Sequence, residues 1–513
     1  MDKIRNLCII LGDQLNHNSS ILSDFDSKKD MVWMAEVMSE SVNPLSSKQR
    51  TTLFFSAMRH FSEELKQKRI KVEYIEINDG IKNFVDALEK TIANYDIGCF
   101  QCVIPGDIRV YKLLSDFFKE KEKNIEWFED THFIAKKSEF DEWIKKYKKP
   151  RMEYWYRYIR KSRKVLLGDN EKPIGGKWNL DFLNRKSFDK SGPQLTQKPL
   201  RFKPDEITKK VIIDIEKKLP NLPGHVSKFD WAVTRKQALK VLDDFIEFRL
   251  SLYGDYQDAM WMKEPWLYHS MISSCLNLKL LNPEEVIKAV EQAYYKNKAP
   301  LNAAEGFIRQ IIGWREYIHG LYWLYSDVWM NSNALKAKRA LPNFYWTGKT
   351  KMTCINESVN QVIEYGYSHH IQRLMVTGLF SLLYGVKPSE IHTWYLSMFV
   401  DAVAWTEVPN TIGMSQYADG GIVGSKPYIA SGAYINRMSN YCKNCNYEPT
   451  KASEENACPF TTLYWYFVYK NRSLLKNNPR LSMQIKNWDR KEKKIQKEII
   501  KRSKKLFNNV ELF

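Results

Sequence analysis

The period of the hydrophobic pattern changes partway along the chain, and this change constrains the fold more than any other feature. From residue 4 to about 135, β-rich segments alternate with helical stretches near 47 to 68 and 80 to 94; the β-rich segments read RNLCIILGD, KDMVWMAEV, KVEYIEI and CFQCVIPGD. Such alternation is typical of βαβ units around a parallel sheet. From Thr234 onward, apolar residues recur at helical spacing almost to the end of the sequence. We therefore predict an α/β domain over residues 1–135, a long connector over 136–233 and a large all-α domain over 234–513.

The net charge of the chain indicates which class of molecule it binds. The chain carries 79 basic and 60 acidic residues, for a net charge of +19. This balance favours a polyanion such as nucleic acid, although basic composition also serves solubility alone.

The cysteine content and the length of the apolar segments indicate in which cellular compartment the protein is expected. Eight cysteines at irregular spacings in 513 residues do not form a disulfide scaffold and favour a reducing compartment. The first apolar run, in MDKIRNLCIILGDQL, is too short for a secretory signal, and LMVTGLFSLLYGV falls short of the roughly 20 residues that span a bilayer. We expect a cytoplasmic protein without membrane contact.

Four cysteines of the helical domain suggest a metal site. Cys442 and Cys445 form a CxxC pair, Cys458 follows shortly after, and Cys354 lies in a loop-like setting. Cys275, within an apolar helix, is expected to pack as a small hydrophobe. Four thiolates suit structural zinc or an iron–sulfur cluster, and on spacing alone both remain open, as does a site without metal.

The pair Cys99 and Cys102 also matches CxxC, but it lies within the strand-like run GCFQCVI. A thioredoxin-like site belongs at the start of a helix, so we expect a packed strand here.

The segment KNWDRKEKKIQKEIIKRSKKL is predicted to be a basic helix. A solvated face is the default interpretation, and a contact with a DNA backbone is the alternative.

Several ordered motifs resemble the cryptochrome/photolyase family. They are LGDQL, MEYWYRYIRK, GGKWNLDFLNR, LYHSMISSCLNLKLL, EGFIRQIIGWREYIHG, YGYSHHIQRLM and WYLSMFVDAVAWTEVPNTIGMSQYADGG, and they extend over nearly the whole chain. Cys354, Cys442, Cys445 and Cys458 match the ligands of its iron–sulfur bacterial branch, which includes bacterial (6-4) photolyases. The resemblance implies a Rossmann-like antenna domain, a helical domain that binds FAD, and a [4Fe–4S] cluster in place of zinc.

The resemblance also implies a set of flavin contacts in the helical domain. These are His269, Ser270 and Ser273, then Glu305, Gln310 and Arg315 on the next helix, and Asp401, Glu407 and Asn410 on another. An arginine beside the diphosphate and polar groups around the ring system suit flavin binding. Taken singly, each of these residues is also explained as a helix cap or a surface charge.

Two histidines carry the expected chemistry of repair. By resemblance, His369 and His370 address the lesion, with Met414 and Tyr428 in the same pocket. A (6-4) lesion needs proton donation as well as an electron, and histidine titrates near neutrality. On a helix, Tyr365, His369 and Arg373 would share one face, and the adjacent side chains of His369 and His370 could not both point at one atom. By resemblance, we expect His369 to act and His370 to assist. Structural packing is the alternative for either histidine.

Further residues are assigned by resemblance to electron supply and to light harvesting. Trp346, Trp394 and Tyr395 match the relay positions of this branch, although they are also ordinary core residues. The antenna is expected to be 6,7-dimethyl-8-ribityllumazine. Its predicted contacts, most of them near strand exits, are Gly12, Asp13, Gln14, Glu36, Lys48, Asp107 and Arg109. The alternative is an empty pocket whose polar residues cap helices.

The predicted function is light-driven repair of (6-4) photoproducts in UV-damaged DNA by a monomeric, FAD-dependent photolyase that flips its lesion out of the duplex. The alternatives are a blue-light-sensing cryptochrome without repair and a cyclobutane-dimer photolyase. A remote alternative is a zinc-stabilised nucleic-acid-binding protein.

Overall fold

A computed structural model describes residues 2–194, 197–476, 478–479 and 481–513. Its first part contains a five-stranded sheet in the order β3-β2-β1-β4-β5, in which all paired neighbours are parallel. The strands are β1 (Asp2–Ile9), β2 (Met31–Ala35), β3 (Val72–Ile75), β4 (Tyr95–Val103) and β5 (Ile125–Phe128). Four of these strands coincide with predicted segments, and β5 adds an edge strand that the pattern did not reveal.

Helices alternate with these strands as the period change predicts. They are α1 (Ser39–Val42), α2 (Lys48–Gln67), α3 (Phe84–Asn94) and α4 (Ile108–Glu120). Strand β2, which lies between β3 and β1, is buried throughout, and α2 begins at a Ser47 cap whose side chain accepts a hydrogen bond from the amide of Arg50. Cys99 and Cys102 lie within β4, which confirms the strand and excludes a helix-start redox site at this position.

The described residues of the predicted connector, 136–194 and 197–233, contain three α-helices. These are α5 (Lys137–Ile144), α6 (Met152–Ser162) and α7 (Glu206–Lys218). Helix α7 packs along α2, and the buried Arg59 of α2 donates to Asp214 of α7 at 2.8 Å. The Lys, Pro and Gly content of this region conceals α7, which packs against the α/β domain, and α5 and α6, which pack against the helix Glu316–Leu324.

The rest of the described chain is helical, as predicted. The helices are α8 (Arg235–Phe248), α9 (Leu250–Tyr256), α10 (Ser273–Asn277), α11 (Pro283–Tyr295), α12 (Leu301–Ile308), α13 (Glu316–Leu324), α14 (Phe344–Thr347), α15 (Thr353–Tyr365), α16 (His370–Gln372), α17 (Leu379–Tyr384), α18 (Pro388–Met398), α19 (Ala404–Val408), α20 (Gly432–Met438), α21 (Pro459–Lys470), α22 (Arg472–Lys476), α23 (Ser482–Asp489) and α24 (Lys493–Asn508). Asn282 caps α11 in a capping box with Pro283 at its first position, as the sequence indicates.

Three π-helical segments interrupt this helical region. Arg309–Arg315 joins α12 to α13, Arg373–Gly378 joins α16 to α17, and Pro409–Ser415 follows α19. The second and third pack so closely that a Cβ on Gly378 would lie 2.3 Å from the Ser415 hydroxyl. Such widened turns are rare and occur frequently at functional sites.

A buried ionic network joins the two regions. Lys279 contacts Asp130 at 2.6 Å, and Arg315 donates to Nδ1 of His132 at 2.8 Å. Since arginine only donates, His132 accepts at Nδ1 and donates its Nε2 proton to the Leu281 carbonyl at 2.6 Å. Burial, and secondarily Arg315, lowers the pKa of His132 to about 3, so this imidazole is neutral.

No helix among the described residues combines the length and the apolar character needed to cross a membrane.

Candidate functional site

The first candidate site is a cleft of about 860 Å³ at the carboxyl ends of β1 and β4. Connections leave these neighbouring strands toward opposite sides of the sheet, which makes this the topological switch point where open α/β folds bind ligands. Gly12 and Asp13 follow β1, and Asp107 and Arg109 follow β4. Phe54, Phe55, Met58 and Phe84 give the cleft an apolar wall, and Leu396, Val403 and Ala404 close it from the helical region.

Charged side chains at the cleft are paired with one another. Arg109 binds Glu40 through both guanidinium nitrogens, at 3.0 and 2.6 Å, and reaches Asp107 at 3.3 Å. Burial raises the pKa of Asp13. Its carboxylate lies so close to Gly106 that a Cβ at that position would clash with it. The cleft thus offers apolar surface for a ring system and fixed polar groups for its substituents.

Three residues predicted for this cleft lie elsewhere. The Gln14 amide donates to the Val103 carbonyl at 2.9 Å, and Lys48 pairs with Glu216 at 2.6 Å. Glu36 is fully buried and accepts both Arg59 nitrogens at 2.7 and 2.8 Å. Their positions near strand exits misled the prediction, because their side chains bind protein groups outside the cleft lining.

A second group of polar side chains surrounds two stacked histidines. The rings of His269 and His369 lie 4.4 Å apart at an interplanar angle of 16°. In the part of the chain that the structure describes, Nε2 of both histidines and the Ser368 hydroxyl are buried without a hydrogen-bond partner. Buried polar atoms of this kind call for a partner, and a bound ligand is one way to supply it.

The helical face predicted for Tyr365, His369 and Arg373 is wrong. Helix α15 ends at Tyr365 because Gly366 adopts a left-handed conformation, with φ of 65°. His369 is the extended N-cap of α16, so its neighbour His370 begins a new helix. The buried ring of His369 faces His269, whereas His370 is exposed.

The two histidines therefore differ in accessibility but share a charge state. Burial, and secondarily His269, lowers the pKa of His369 well below its usual range. Surrounding protein, and secondarily Arg373, lowers the pKa of His370 to about 4 although its side chain reaches solvent. An exposed imidazole with a depressed pKa is expected of a group that lines a cleft.

Asp401 organises the polar groups behind these histidines. It accepts both guanidinium nitrogens of Arg373 at 2.9 Å, and it accepts the Ser273 hydroxyl at 2.7 Å. Asn277 donates to its carbonyl at 2.7 Å. Residues from α10, the second π segment and the loop before α19 are thus held together, and His269 lies beside them.

Glu407 carries a partner that the sequence did not suggest. Its carboxylate contacts Nδ1 of His392 from α18, and both side chains are buried. Although burial opposes it, the charge of Glu407, and secondarily that of Asp107, raises the pKa of His392. Asn410 lies one turn further on and donates to the Thr406 carbonyl at 2.8 Å.

Three other predicted flavin contacts, Glu305, Arg315 and Gln310, form hydrogen bonds with protein groups. Glu305 accepts Tyr156 at 2.8 Å and the Leu180 amide at 3.0 Å. Arg315 belongs to the buried interdomain network, where its guanidinium lies 4.2 Å from the centre of the Phe133 ring. Gln310 donates to the Gly306 carbonyl, and Ser270 is half-buried next to His269.

Two of the three predicted relay residues, Trp394 and Tyr395, lie close to each other. Trp394 and Tyr395 have ring centres 5.0 Å apart, and Trp394 lies 5.1 Å from Tyr345. Trp346 is the half-buried neighbour of Tyr345 in α14. Tyr345, which sequence reasoning did not single out, therefore contacts one of the predicted tryptophans, Trp394.

The remaining lesion-pocket candidates lie on other segments. Met414 is buried in the π segment Pro409–Ser415, and Tyr428 is half-buried in the loop that follows.

The third candidate site is a cavity of about 310 Å³ that all four predicted thiols line: Cys354, Cys442, Cys445 and Cys458. Cys354 lies in the first turn of α15 and not in a loop, and Cys458 caps α21. No group of three or more His, Cys, Asp or Glu side chains among the described residues is arranged to hold a metal ion. Burial raises the pKa of Cys442 to about 12 and that of Cys458 to about 11.

Glycine allows the backbone to approach these thiols. A Cβ on Gly432 would lie 2.8 Å from Sγ of Cys458 and 3.0 Å from the Pro449 carbonyl. This position therefore admits only a residue without a side chain unless the thiol site shifts.

Known proteins resemble this chain in sequence and in fold. The family model described as "Deoxyribodipyrimidine photo-lyase-related protein" matches residues 8–231. A (6-4) photolyase from Agrobacterium fabrum is 43% identical over 487 residues, which cover 94% of this chain and 95% of that protein.

Solved structures show the same fold at low identity. A bacterial class III photolyase from Agrobacterium tumefaciens superposes with a TM-score of 0.53 at 14% identity, covering 85% of this chain and 87% of that one. A Synechocystis cryptochrome superposes with a TM-score of 0.56 at 12% identity, covering 92% and 95%.

A parallel α/β domain with a switch-point cleft, joined to a helical domain with buried polar sites, defines the photolyase and cryptochrome class of proteins. The extent of the sequence likeness then assigns the chain itself: it belongs to the cryptochrome/photolyase family, alongside the (6-4) photolyase of Agrobacterium fabrum.

Proposed function

We propose that this protein is a light-driven (6-4) photolyase that repairs UV-damaged DNA with FAD. The observation that carries the proposal is the 43% identity to a (6-4) photolyase over 94% of the chain, since so extended a likeness includes both domains and every candidate site. The net charge of +19 supports a DNA substrate. An extruded lesion needs an accessible site in the helical domain, and His370 is exposed there.

The group around Asp401 fits a flavin. The buried, unpartnered Nε2 atoms of His269 and His369 and the Ser368 hydroxyl can bind the polar groups of a cofactor. Ser273, Asp401, Glu407 and Asn410 are the residues that would hold it, and bound FAD would supply the light-driven electron. The ion pair of Arg373 with Asp401 fixes one carboxylate, and the contact of His392 with Glu407 fixes a second.

The histidines supply positioned N–H groups and, on the lesion side, a proton. His370 is the imidazole that a substrate can reach, whereas buried His369 stacks on His269 and orients the segment. Both are neutral in the free protein because burial lowers their pKa values. Phosphate groups of bound DNA add negative charge nearby, which raises the pKa of the accessible ring toward neutrality and increases the fraction that carries a proton to donate.

The thiol cavity fits a [4Fe–4S] cluster better than a single ion. A cluster binds each thiolate through a different iron, so its sulfurs stand further apart than four ligands of one metal. This agrees with four thiols that line one cavity without forming a single-ion geometry. Gly432 leaves room at Cys458, and displacement of the thiol protons by iron offsets the high pKa values that burial gives Cys442 and Cys458.

The switch-point cleft fits the lumazine antenna. Its apolar wall suits a fused ring system, and Asp13, Asp107 and Arg109 can bind a hydroxylated ribityl chain. Of the predicted contacts, Gly12 also lines this cleft.

The deciding experiment is a repair assay on the purified, reduced protein. An oligonucleotide with one (6-4) thymine photoproduct is illuminated with the protein, and intact thymines are measured by chromatography against a dark control. A second oligonucleotide carries a cyclobutane dimer at the same position. Recovery of thymine from the (6-4) substrate supports the proposal, recovery from the dimer alone reassigns the substrate, and no recovery from either favours a sensor. The visible spectrum and iron analysis test FAD and the cluster separately.

A further inference from the structure

The basic segment near the end of the sequence has a buried face. Helix α24 packs against α21, the helix that begins directly after Cys458, and its buried residues are Gln496, Ile499, Arg502, Ser503 and Leu506. The neighbouring Lys501, Lys504 and Lys505 are exposed. The helix is therefore a packed element, and one cation, Arg502, points inward with 8% exposure.

Arg502 binds the chain segment that carries one of the thiols. Its Nη2 donates to the Ala457 carbonyl, next to Cys458, at 2.9 Å, and its Nε is buried without a partner among the described residues. The same segment is fixed to the CxxC loop by backbone hydrogen bonds. The Glu448 amide donates to the Asn456 carbonyl, and the Glu448 carbonyl accepts from the Cys458 amide. Arg502 thus reaches both thiol-bearing loops through a short set of backbone contacts.

Phe513 ties in the third thiol-bearing segment. Its carbonyl accepts the Lys351 amide at 2.7 Å and the Thr350 hydroxyl at 2.6 Å, just before Cys354. Its ring lies 6.3 Å from that of Tyr447, which lines the thiol cavity, and the Arg502 guanidinium lies 5.7 Å from the same Phe513 ring. All three segments that present thiols are therefore joined by Arg502 and Phe513.

Charge gives Arg502 a second effect. A [4Fe–4S] cluster with four thiolates is an anion, and a buried anion is costly unless a cation or hydrogen bonds compensate it. Arginine stays protonated in proteins, so Arg502 supplies permanent positive charge beside Cys458.

We infer that Arg502 and Phe513 are positioning residues for the cluster, closing its site against solvent and stabilising its negative charge. This inference rests on the proposed cluster, and it gives the basic helix a role other than a contact with DNA.

The test compares Arg502→Met, Arg502→Lys and Phe513→Ala with the wild-type protein. Lys501→Met is the matched control, since it removes one exposed charge from the same helix. Iron per chain, the rate of iron release to a ferrous chelator in air, and the reduction potential of the cluster are measured on the full-length proteins. We expect roughly tenfold faster iron release in Arg502→Met and Phe513→Ala, as for lost outer contacts of metal ligands.

The potential separates charge from packing. Arg502→Met should shift the cluster to a more negative potential, because a nearby cation favours the reduced form, while Arg502→Lys should keep the potential near that of the wild type. A merely structural role would not produce this difference. If Arg502→Met does not fold, Arg502→Lys and Phe513→Ala still decide, since wild-type iron release in both would overturn the inference.

Failure of the inference is distinct from failure of the proposed cluster. Wild-type protein without iron would contradict the cluster itself. If the wild-type protein contains iron and Arg502→Met releases its iron at the same rate as Lys501→Met, the inference is overturned while the proposed cluster stands. Equal loss of DNA affinity in these two variants, with unchanged iron release, would assign the helix to DNA instead.

Discussion

The imidazole ring of His369 stacks on that of His269, with ring centres 4.4 Å apart. The stack holds His369 inside the protein and leaves the adjacent His370 exposed. We therefore expect the adjacent residues His369 and His370 to have different roles, which single substitutions should distinguish.

We expect His370→Ala to lower (6-4) repair by about 10²–10⁴-fold, the usual contribution of a positioned acid, without loss of flavin or of DNA affinity. His369→Ala should also abolish repair, because the segment that carries His370 loses its stacking partner. Repair yield, flavin absorbance and DNA binding are measured in parallel. Loss of flavin in His369→Ala would assign that residue to cofactor packing, and wild-type repair in His370→Ala would contradict its role as acid.

Buried His132 predicts a loss of stability in acid. Its pKa is about 3 in the folded protein because of burial and Arg315, and near 6.5 when unfolded. The folded state is therefore unaffected above pH 6.5 and is destabilised as pH falls toward 3, by about 1.4 kcal/mol per pH unit for this group. His132→Gln keeps an acceptor and a donor but cannot titrate. Denaturant unfolding between pH 7 and 4 should show a shallower pH dependence for this variant than for the wild-type protein, and equal slopes would contradict the prediction.

Gly432→Ala should weaken the thiol site. The added Cβ would lie 2.8 Å from Sγ of Cys458, so the cysteine must move. We expect less iron per chain and lower thermal stability than in Gly168→Ala, a control in which the nearest atom is 3.8 Å from the new Cβ. Equal iron content in the two variants would show that Cys458 tolerates the shift.

Arg109→Met should weaken binding of 6,7-dimethyl-8-ribityllumazine by roughly tenfold, since a charged hydrogen bond is worth about 1.5–3 kcal/mol. The substitution also leaves Glu40 without its bidentate partner. Fluorescence titration measures the affinity. Lys112→Met removes an exposed charge from the same helix and should bind like the wild type, and wild-type affinity in Arg109→Met would exclude the cleft as the antenna site.

Trp394→Phe should slow photoreduction of the flavin several-fold while reduction by dithionite stays unchanged. Phenylalanine preserves the buried ring but is far harder to oxidise than tryptophan. Trp329→Phe is the control, because Trp329 is also buried and also donates its Nε1 proton to a backbone carbonyl. Similar photoreduction rates in both variants would remove Trp394 from the electron path.

The spacing of apolar residues predicts which segments are strands and which are helices, because each element buries one face and the buried residues recur at the period of that element. The strand β4 and the cap at Asn282 are examples in which local pattern and structure agree. Spacing and setting in the sequence group the four thiols, the family resemblance selects the same four, and the cavity that all four line agrees with that grouping.

The errors arose where tertiary contacts override local pattern. Gly366 ends α15 in a left-handed turn and separates Tyr365 from His369, although the residue types alone allow one helix. Glu36 occupies a strand exit, but the burial of Arg59 turns its carboxylate away from the cleft. The partnership of His392 with Glu407 and the three π segments depend on contacts between helices, which a single sequence does not display.

The thiol cavity joins residues as distant along the chain as Cys354 and Cys458. At synthesis rates of roughly 5–20 residues per second, Cys354 emerges from the ribosome several seconds before Cys458 exists. During that interval α15 has no α21 or α24 with which to complete the cavity, so the proposed cluster could be loaded only after translation of this whole segment. Iron limitation should accordingly show itself as a fall in the yield of folded protein, well before any fall in the activity of the molecules that mature.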